Sequence, residues 1–582
     1  MGGRGGAQAG SGGVGGRAGS SNGGSGAIGG AAGTAGAGGR GGSGGNDTGG
    51  AGESAGSGGA AGAAGTGAVA GMGGNAGSAG SAGIGGRGGG AGTVGLAGAG
   101  GGGSGGVGGA AGTGGTGGGS GASGSGGGAG AAGGAAPVCG DRVVEAGEGC
   151  DDGNAQTGDG CSPHCRQITA LGTGWGTASC VILDDGHVKC WGYNSSQGEL
   201  GLGDSQIRGD GANEMGDNLP AVDLGTGRRA TSVTSGLGFA CALLDDGHVK
   251  CWGQNVAGFL GIGDTDPRGG YPGQMGDNLP AVDLGTGRTA RSVVSGNATC
   301  ALLDDLSVKC WGPGGGLLGL GDPLPRGGAP GEMGDNLPTV KLGTGRTAKS
   351  IAAGGFSFCA ILDDDSLKCW GKNDFGQLGL GDKETRGDGP NEMGDSLPAV
   401  NLGTGRFARS VSGGGNYYCA LLDDGTVKCW GYAATGAVGL GDINNRGDEP
   451  NEMGDNLPAV NLGAGRRAKA VSAGNTHTCA LLDDDTLKCW GSNLGELGIG
   501  NAKAYGNSTM YPVSNVPIVN LGTGRTAKII SARTARTCAL LDNDTLKCWG
   551  NSSFGQLGYG DTQTRGDDPM EMGDYLPAVQ LP

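Results

Sequence analysis

Histidine is scarce in this sequence of 582 residues, and aromatic residues make up only 4% of it. No histidine lies in a nucleophile motif, and no G-x-S-x-G, H-E-x-x-H or P-loop pattern occurs after residue 136. We therefore predict a protein that is not an enzyme and that uses no cofactor. The sequence also lacks an apolar run of 18 residues, so we predict no membrane span. The four histidines are His164, His187, His248 and His477.

Residues 1–136 contain no Phe, Trp, Tyr, Lys or Cys and consist almost entirely of Gly, Ala and Ser. Such a segment has too little apolar surface to offset an ordering cost of about 1–2 kcal/mol per residue. We predict that it is a disordered linker. Its scattered Gly-x-Gly-x-x-Gly matches have no predicted strand before them or helix after them, so they do not indicate a nucleotide site.

The sequence has fewer basic than acidic residues, with 38 Lys and Arg and 54 Asp and Glu, which gives a net charge of −16. The linker carries four Arg against one Asp and one Glu, so the remaining residues carry −18. An acidic surface repels phosphate backbones, and we predict no nucleic-acid partner. It fits solubility or a basic partner.

All 18 cysteines lie between Cys139 and Cys548 in regularly spaced pairs, which predicts disulfides and an oxidising compartment. Export is the expected consequence. The first 30 residues show no apolar leader segment, and we expect the leader to lie upstream of Met1.

A fixed repeat organises residues 167–582. Seven times a cysteine is followed, ten positions later, by Cys-Trp-Gly, and the first cysteines lie 59 to 61 residues apart. Self-similarity on this scale is typical of arrays or propellers with one supersecondary unit per repeat. Short β-leaning runs separated by Gly, Asp and Thr-Gly-Arg turns suggest four strands per unit. We predict an all-β, seven-bladed β-propeller.

The spacing within each cysteine pair predicts a hairpin with a three-residue loop, Asp184-Asp185-Gly186 in the first unit. The third loop residue must adopt a left-handed conformation, which suits Gly or Asp; Leu306 is the exception. The two cysteines then face each other within disulfide range, although reduced pairs remain an alternative and the spacing fits zinc poorly. The expected pairs are Cys180 with Cys190, Cys241 with Cys251, Cys300 with Cys310, Cys359 with Cys369, Cys419 with Cys429, Cys479 with Cys489, and Cys538 with Cys548.

One tryptophan follows each second cysteine, on the opposite face of its strand, and we expect these rings to fill the gaps between successive blades rather than to form a ligand platform. They are Trp191, Trp252, Trp311, Trp370, Trp430, Trp490 and Trp549.

A Leu-Pro-Ala-Val segment precedes units two to seven, with a variant at Val516, but not unit one. An extra copy, Leu576 to Val579, ends the chain. We therefore expect the C-terminal segment to supply the missing strand of the first blade and to close the ring.

The pattern C-A-L-L-D-D-G-T-V-K-C-W-G followed by G-x-x-G-L-G, as in Cys419 to Gly441, resembles the regulator of chromosome condensation repeat family. The resemblance covers about residues 167–582 and implies a seven-bladed propeller. The family includes a nucleotide exchange factor for a nuclear GTPase and bacterial protein-binding members. It implies a scaffold for protein binding, but no exchange-factor residue can be transferred.

Residues 137–166 form a separate module, which resembles the short disulfide-rich repeat common on myxobacterial-type surface and secreted proteins. A module of this size needs disulfide bonds to fold, and its four cysteines allow three pairings. Its acidic loop offers weak calcium ligands, although turn formation explains the same residues better. The cysteines are Cys139, Cys150, Cys161 and Cys165, and the candidate ligands are Asp151, Asp152, Asn154 and Asp159.

Two loop types are expected at opposite ends of the blades. Gly-Thr-Gly-Arg turns share one face with the Asp-Asp hairpin turns, and longer Arg-Gly-Asp to Glu-Met-Gly-Asp loops crowd the other face, where binding is more plausible. We interpret Arg-Gly-Asp, as at Arg208, as a loop former paired with the following Asp or Glu rather than as an adhesion motif. The loop methionines, such as Met393, are expected to pin each loop to its blade.

Together these patterns predict a monomeric, secreted or surface-displayed scaffold that binds an unidentified protein. A GTPase regulator of the same repeat family is one alternative, which would require a reducing compartment. A polysaccharide-active enzyme is another, which would require paired carboxylates converging in one blade.

Overall fold

The computed structural model describes residues 167–174 and 176–581. The predicted linker, the small disulfide-rich module with its four cysteines Cys139, Cys150, Cys161 and Cys165, and the candidate calcium ligands Asp151, Asp152, Asn154 and Asp159 lie outside the described residues. The described part contains strands and one-turn 3-10 helices, and its seven sheets repeat along the chain as the sequence predicts.

Each unit contributes three antiparallel strands to its sheet, not the four that the sequence suggested, and we call them inner, middle and outer. In unit 1 they are β1 (Ile168–Leu171), β3 (Ala178–Leu183) and β4 (Val188–Gly192), whereas β2 (Thr173–Gly174) pairs in parallel with the second unit. Units 2 to 4 contain β5 (Ala230–Ser235), β6 (Phe239–Leu244), β7 (Val249–Gly253), β8 (Ala290–Ser295), β9 (Thr299–Leu303), β10 (Val308–Trp311), β11 (Ala348–Ala353), β12 (Ser357–Leu362) and β13 (Leu367–Gly371). Units 5 to 7 contain β14 (Ala408–Gly413), β15 (Tyr417–Leu422), β16 (Val427–Gly431), β17 (Ala468–Ala473), β18 (His477–Leu482), β19 (Leu487–Gly491), β20 (Ala527–Ala532), β21 (Arg536–Leu541) and β22 (Leu546–Gly550).

In every unit a 3-10 helix lies directly before the Leu-Pro-Ala-Val segment or its variant. These helices are Gly216–Asn218, Gly276–Asn278, Gly334–Asn336, Gly394–Ser396, Gly454–Asn456, Val513–Asn515 and Gly573–Tyr575.

The hairpin register agrees with the cysteine spacing, because the two cysteines of each unit lie directly opposite each other on the middle and outer strands. All seven predicted pairs are disulfide-bonded, with Cα atoms 4.0 to 4.1 Å apart. The bonds join Cys180 to Cys190, Cys241 to Cys251, Cys300 to Cys310, Cys359 to Cys369, Cys419 to Cys429, Cys479 to Cys489, and Cys538 to Cys548.

The third residue of the hairpin loop has a positive φ in every unit. The angle is 80° at Gly186, 67° at Asp365 and 67° at Leu306. The turn therefore keeps one geometry although its residue changes.

Each Leu-Pro-Ala-Val segment belongs to the unit before it and not, as the sequence suggested, to the unit after it. Val222 N–H donates to Val188 O, so this segment lies beside the outer strand of the unit that precedes it. Val579 N–H likewise donates to Leu546 O, within the seventh unit. The C-terminal segment therefore completes its own unit, and the prediction that it supplies a strand to the first unit is not confirmed. Sequence order alone did not distinguish the two assignments, since each segment lies between two units.

Units are joined side by side through their tryptophans. Trp252 Nε1–H donates to Glu199 O of the preceding unit at 3.2 Å, and the ring is fully buried. Trp191 makes the same bond to Gln556 O of the seventh unit, also at 3.2 Å. The prediction that these rings fill the gaps between units is confirmed, and the seventh unit contacts the first in the same way.

Inner strands lie nearest the propeller axis, because those of consecutive units from the second to the seventh contact one another and β1 contacts β20. The apolar core is divided into clusters that each contain side chains of two neighbouring units. Stability is therefore expected to depend on these repeated junctions.

Candidate functional site: the two faces of the propeller

The hairpin turns and the Gly-Thr-Gly-Arg turns occupy one face, as predicted. Arg288 Nη1 lies 2.9 Å from Asp305 Oδ2, and Arg346 Nη2 lies 3.0 Å from Asp364 Oδ2. Arg228, Arg406 and Arg466 pair in the same way with Asp246, Asp424 and Asp484, whereas Arg525 pairs with the first residue of its turn, Asp542. We call this side the turn face. Its charges largely neutralise one another.

A loop leaves the opposite end of each outer strand and returns through an arginine in every unit except the sixth, where Tyr505 takes its place. In unit 1 the loop runs from Gly192 to Arg208, and these two residues pair through both backbone bonds. We call the surface formed by these seven loops the loop face. The loops are residues 193–207, 254–267, 313–325, 372–385, 432–445, 492–504 and 551–564.

The Arg-Gly-Asp motif stabilises these loops, but its partner differs from the prediction. Arg208 Nη2 lies 2.6 Å from Asp204, which precedes the motif, and not from the Asp or Glu that follows. Glu214 instead accepts backbone N–H groups of Gly209, Asp210 and Gly211. The arginine side chain is only 16% exposed, so the motif is a structural element of the loop.

A carboxylate that holds the segment directly after one of these loops has a lowered pKa. Partial burial of Glu392 opposes its ionisation, but N–H donors from Gly389 and Gly387 hold the pKa of this side chain below its ordinary value. The carboxylate is therefore charged at neutral pH and holds this segment in one conformation.

The loop methionines are buried, as predicted. Met275 is 8% exposed and belongs to the same core cluster as Trp252. Gly201 of the preceding unit approaches both side chains, and a Cβ there would lie 2.7 Å from Trp252 Nε1. The backbone of Gly201 also has a φ of 67°, so this close approach requires glycine.

Apolar side chains nevertheless project from the loop face. Val256 is 59% exposed, Leu324 57%, Ile443 60% and Leu494 68%, each within the loop between the outer strand and its returning residue. The turn face has Phe407, which is 40% exposed. Exposed apolar side chains held on rigid loops are typical of protein-binding surfaces.

A lysine precedes the second cysteine of every unit and is buried in the first six units and partly buried in the seventh, a feature that sequence analysis missed. Lys428 Nζ donates to Leu402 O at 3.0 Å and to Gly454 O at 2.7 Å, so it ties together the segments that flank its strand. Burial lowers the pKa of Lys428, and Asp455 opposes the shift. The sequence does carry a signal for this structural role, since a lysine precedes the second cysteine in all seven units.

Two arginines of the seventh unit are also buried, and they contact the first unit. Arg533 Nη1 and Arg536 Nη2 both donate to Ala178 O, at 2.9 and 2.6 Å, and Arg533 reaches Ser235 of the second unit. Burial lowers the pKa of both guanidinium groups. The equivalent positions of the sixth unit are occupied by Gly474 and His477, which are also buried. Aligning the two units could therefore have identified Arg533 and Arg536 as interior residues.

The histidines do not converge. His187 and His248 are exposed and lie beside the turn aspartates Asp185 and Asp246. His477 is fully buried, and Nε2 lies 2.9 Å from Thr537 Oγ1. His164 lies outside the described residues.

Two further findings concern the described residues alone. Across 167–174 and 176–581, no group of three or more His, Cys, Asp or Glu side chains is placed to hold a metal ion. Over the same ranges, no helix is both long enough and apolar enough to cross a bilayer.

Comparison with known proteins identifies the repeat. The family described as "Regulator of chromosome condensation (RCC1) repeat" matches residues 230–258, 348–377, 408–434, 468–494 and 535–556. The chain is 28% identical to the ultraviolet-B receptor UVR8 of Arabidopsis thaliana over 398 residues, covering 67% of this chain and 79% of the receptor. It is 27% identical to human protein RCC2, covering 58% of this chain and 61% of that protein.

A solved structure gives the same fold. Yeast RCC1 (Prp20), crystallised with Kap60 bound, matches with a TM-score of 0.50 and 18% identity, covering 71% of this chain and 85% of that chain. A second structure, of Prp20p from Saccharomyces cerevisiae, was described together with its binding to Gsp1p and histones; it has a TM-score of 0.50 and 16% identity, covering 71% of this chain and 87% of that chain. The β-propeller fold predicted from the repeat is therefore confirmed.

Proposed function

We propose that this chain, which is built from regulator of chromosome condensation repeats, is a secreted or surface-displayed scaffold that binds a protein through its loop face. The observation that carries the proposal is the set of exposed Val256, Leu324, Ile443 and Leu494 side chains, on loops that each approach the buried tryptophan of the next unit closely through a glycine. A preformed apolar surface lowers the entropic cost of binding.

The seven disulfides support a site of action outside a reducing compartment. They lie one per unit, with all fourteen of these cysteines paired. Disulfides persist in oxidising environments and are rare in the cytosol. A GTPase regulator working in the cytoplasm would have to keep these cysteines reduced.

Similarity to protein-binding relatives also supports the proposal. One Prp20 structure contains a bound protein, Kap60, and the other was described with binding to Gsp1p and histones. Because the identity to these structures is under 20%, they support the fold, and the partner of this chain is inferred from its own surface.

Site-specific photo-crosslinking of the full chain tests the proposal. A photoreactive amino acid is placed at Leu324 on the loop face or at Phe407 on the turn face, a matched control because both positions are exposed and apolar. We expect a discrete crosslinked protein in intact native cells from position 324 and none from position 407. Crosslinking from position 407 alone, or from neither position, would contradict a loop-face scaffold.

A further inference from the structure

The turn face has an inner ring of cations around the propeller axis. The second residue of each inner strand is exposed there, and it is basic in units 3 to 7. In three of these units the lysine pairs with the third residue of its hairpin turn: Lys349 with Asp365, Lys469 with Asp485 and Lys528 with Asp544, at 2.6 to 2.7 Å. These pairs explain why Asp occupies a left-handed position that favours glycine.

Arg291 and Arg409 lack that carboxylate, because the third turn residue is Leu306 in unit 3 and Gly425 in unit 5. Arg291 Nη2 donates to Asp304 O at 2.8 Å, and Arg409 donates to Asp423 O. Neither forms an ion pair with a carboxylate of the described residues, since the turn carboxylates are taken by the outer arginines. Both guanidinium groups keep donors free for an anion.

Arg291, Lys349 and Arg409 line one cavity of about 530 Å³ on the propeller axis. Its walls carry aliphatic side chains, among them Val293 and Ile351, together with serine residues of the inner strands. This volume lies within the range of small-molecule sites, which are mostly apolar with a few polar groups that orient the ligand. We call this space the axial cavity.

Leu306 also lines the axial cavity, in a conformation that its side chain disfavours. Its φ is 67°, and every other unit has Gly or Asp at this turn position. A branched apolar residue in the left-handed region is strained, and such strain is found where function requires the side chain. Leu306 thus places an aliphatic group in the same cavity as two arginines that form no ion pair with a carboxylate of the described residues.

We propose that the axial cavity binds a carboxylate joined to an aliphatic group, with Arg291 and Arg409 holding the carboxylate and Leu306 contacting the aliphatic part. Guanidinium groups match carboxylate geometry and form stronger hydrogen bonds than neutral donors do. The ligand can be a free organic acid or an acidic, leucine-containing segment of a protein. The proposal concerns the turn face and is independent of loop-face binding.

Isothermal titration calorimetry of the full chain tests this site with three probes: octanoate, octanol and the peptide N-acetyl-Leu-Leu-Glu-amide. We expect octanoate or the peptide to bind, octanoate indicating a free acid and the peptide a protein segment. We expect octanol to bind at least tenfold more weakly, because it lacks the charge. Failure of both acids to bind at millimolar concentration, or equal binding of octanol, would overturn the proposal.

Variants locate the ligand within the cavity. Arg291→Gln combined with Arg409→Gln is expected to weaken binding at least tenfold, whereas Lys528→Gln, outside the axial cavity and paired with Asp544, leaves it unchanged. Leu306→Gly is expected to weaken binding severalfold while the thermal midpoint stays equal or rises, since strain is removed. Equal effects of Lys528→Gln and the arginine variant, or unchanged binding in Leu306→Gly, would contradict the assignment.

Discussion

Acid sensitivity of the propeller should depend on His477. This side chain is fully buried between the sixth and seventh units, and its Nδ1 has no hydrogen-bond partner among the described residues. Burial lowers the pKa of His477 from 6.5 to about 3. The folded state therefore keeps the ring neutral at pH values where the unfolded state is protonated.

The sign and size of the effect follow from this pKa difference. Below pH 6.5 the unfolded chain binds a proton that the folded chain does not bind. The free energy of unfolding is therefore greatest above pH 6.5 and decreases as the pH is lowered below that value. At about 1.4 kcal/mol per pH unit, acidification from pH 7.5 to pH 5 removes roughly 2 kcal/mol of unfolding free energy. Lowered carboxylate pKa values act only at more acidic pH.

Urea unfolding of the oxidised protein at pH 7.5, 6.5 and 5 measures this loss. His477→Gln should abolish most of the difference between pH 7.5 and pH 5, whatever its effect on stability at pH 7.5. His248→Gln is the matched control, because it also replaces a histidine but at an exposed position. An identical pH dependence in wild type and His477→Gln would refute the reasoning.

Three further predictions concern the repeated architecture. Trp430→Ala and Trp191→Ala should each destabilise by about 3–5 kcal/mol in urea unfolding, because both rings are buried and bond the neighbouring unit; a much smaller loss for Trp191 would show that the first and seventh units interact weakly. Replacing Cys359 and Cys369 together by Ala should cost about 3 kcal/mol by chain entropy, and an unchanged denaturation midpoint would contradict this. Thr hydroxyl and N–H groups lower the pKa of Asp277, Asp335, Asp395, Asp455 and Asp574, so the stabilisation by these carboxylates is present above about pH 4 and is lost below it. Asp395→Asn should therefore reduce the decrease of the thermal midpoint at acid pH. An unchanged decrease would exclude the effect.

Local geometry was predictable from the sequence because it depends on residues close in the chain. The ten-residue cysteine spacing defined the hairpin register, and the third loop residue was recognised from the recurrence of Gly and Asp. The position of Trp on the opposite face from its cysteine followed from the period of a strand. These features required no knowledge of how units meet.

The features that sequence analysis missed depend on contacts between segments far apart in the chain. Lys428 and Arg536 are charged residues whose burial depends on carbonyl groups of distant segments, and composition alone favours solvent exposure for both. The Leu-Pro-Ala-Val segment was assigned to the following unit because it precedes that unit's inner strand. Its true partner, Val188 for Val222, is revealed only by the hydrogen bond.

The central claim is a scaffold whose seven hairpins are each closed by a disulfide in an oxidising compartment. Thiol blocking at the moment of lysis, followed by intact mass and peptide mapping of the native protein, tests it most directly. We predict no alkylation of the fourteen propeller cysteines and recovery of the seven hairpin-linked peptides, such as Cys419 with Cys429. Fourteen alkylated cysteines would contradict the account and would favour a GTPase regulator in a reducing compartment.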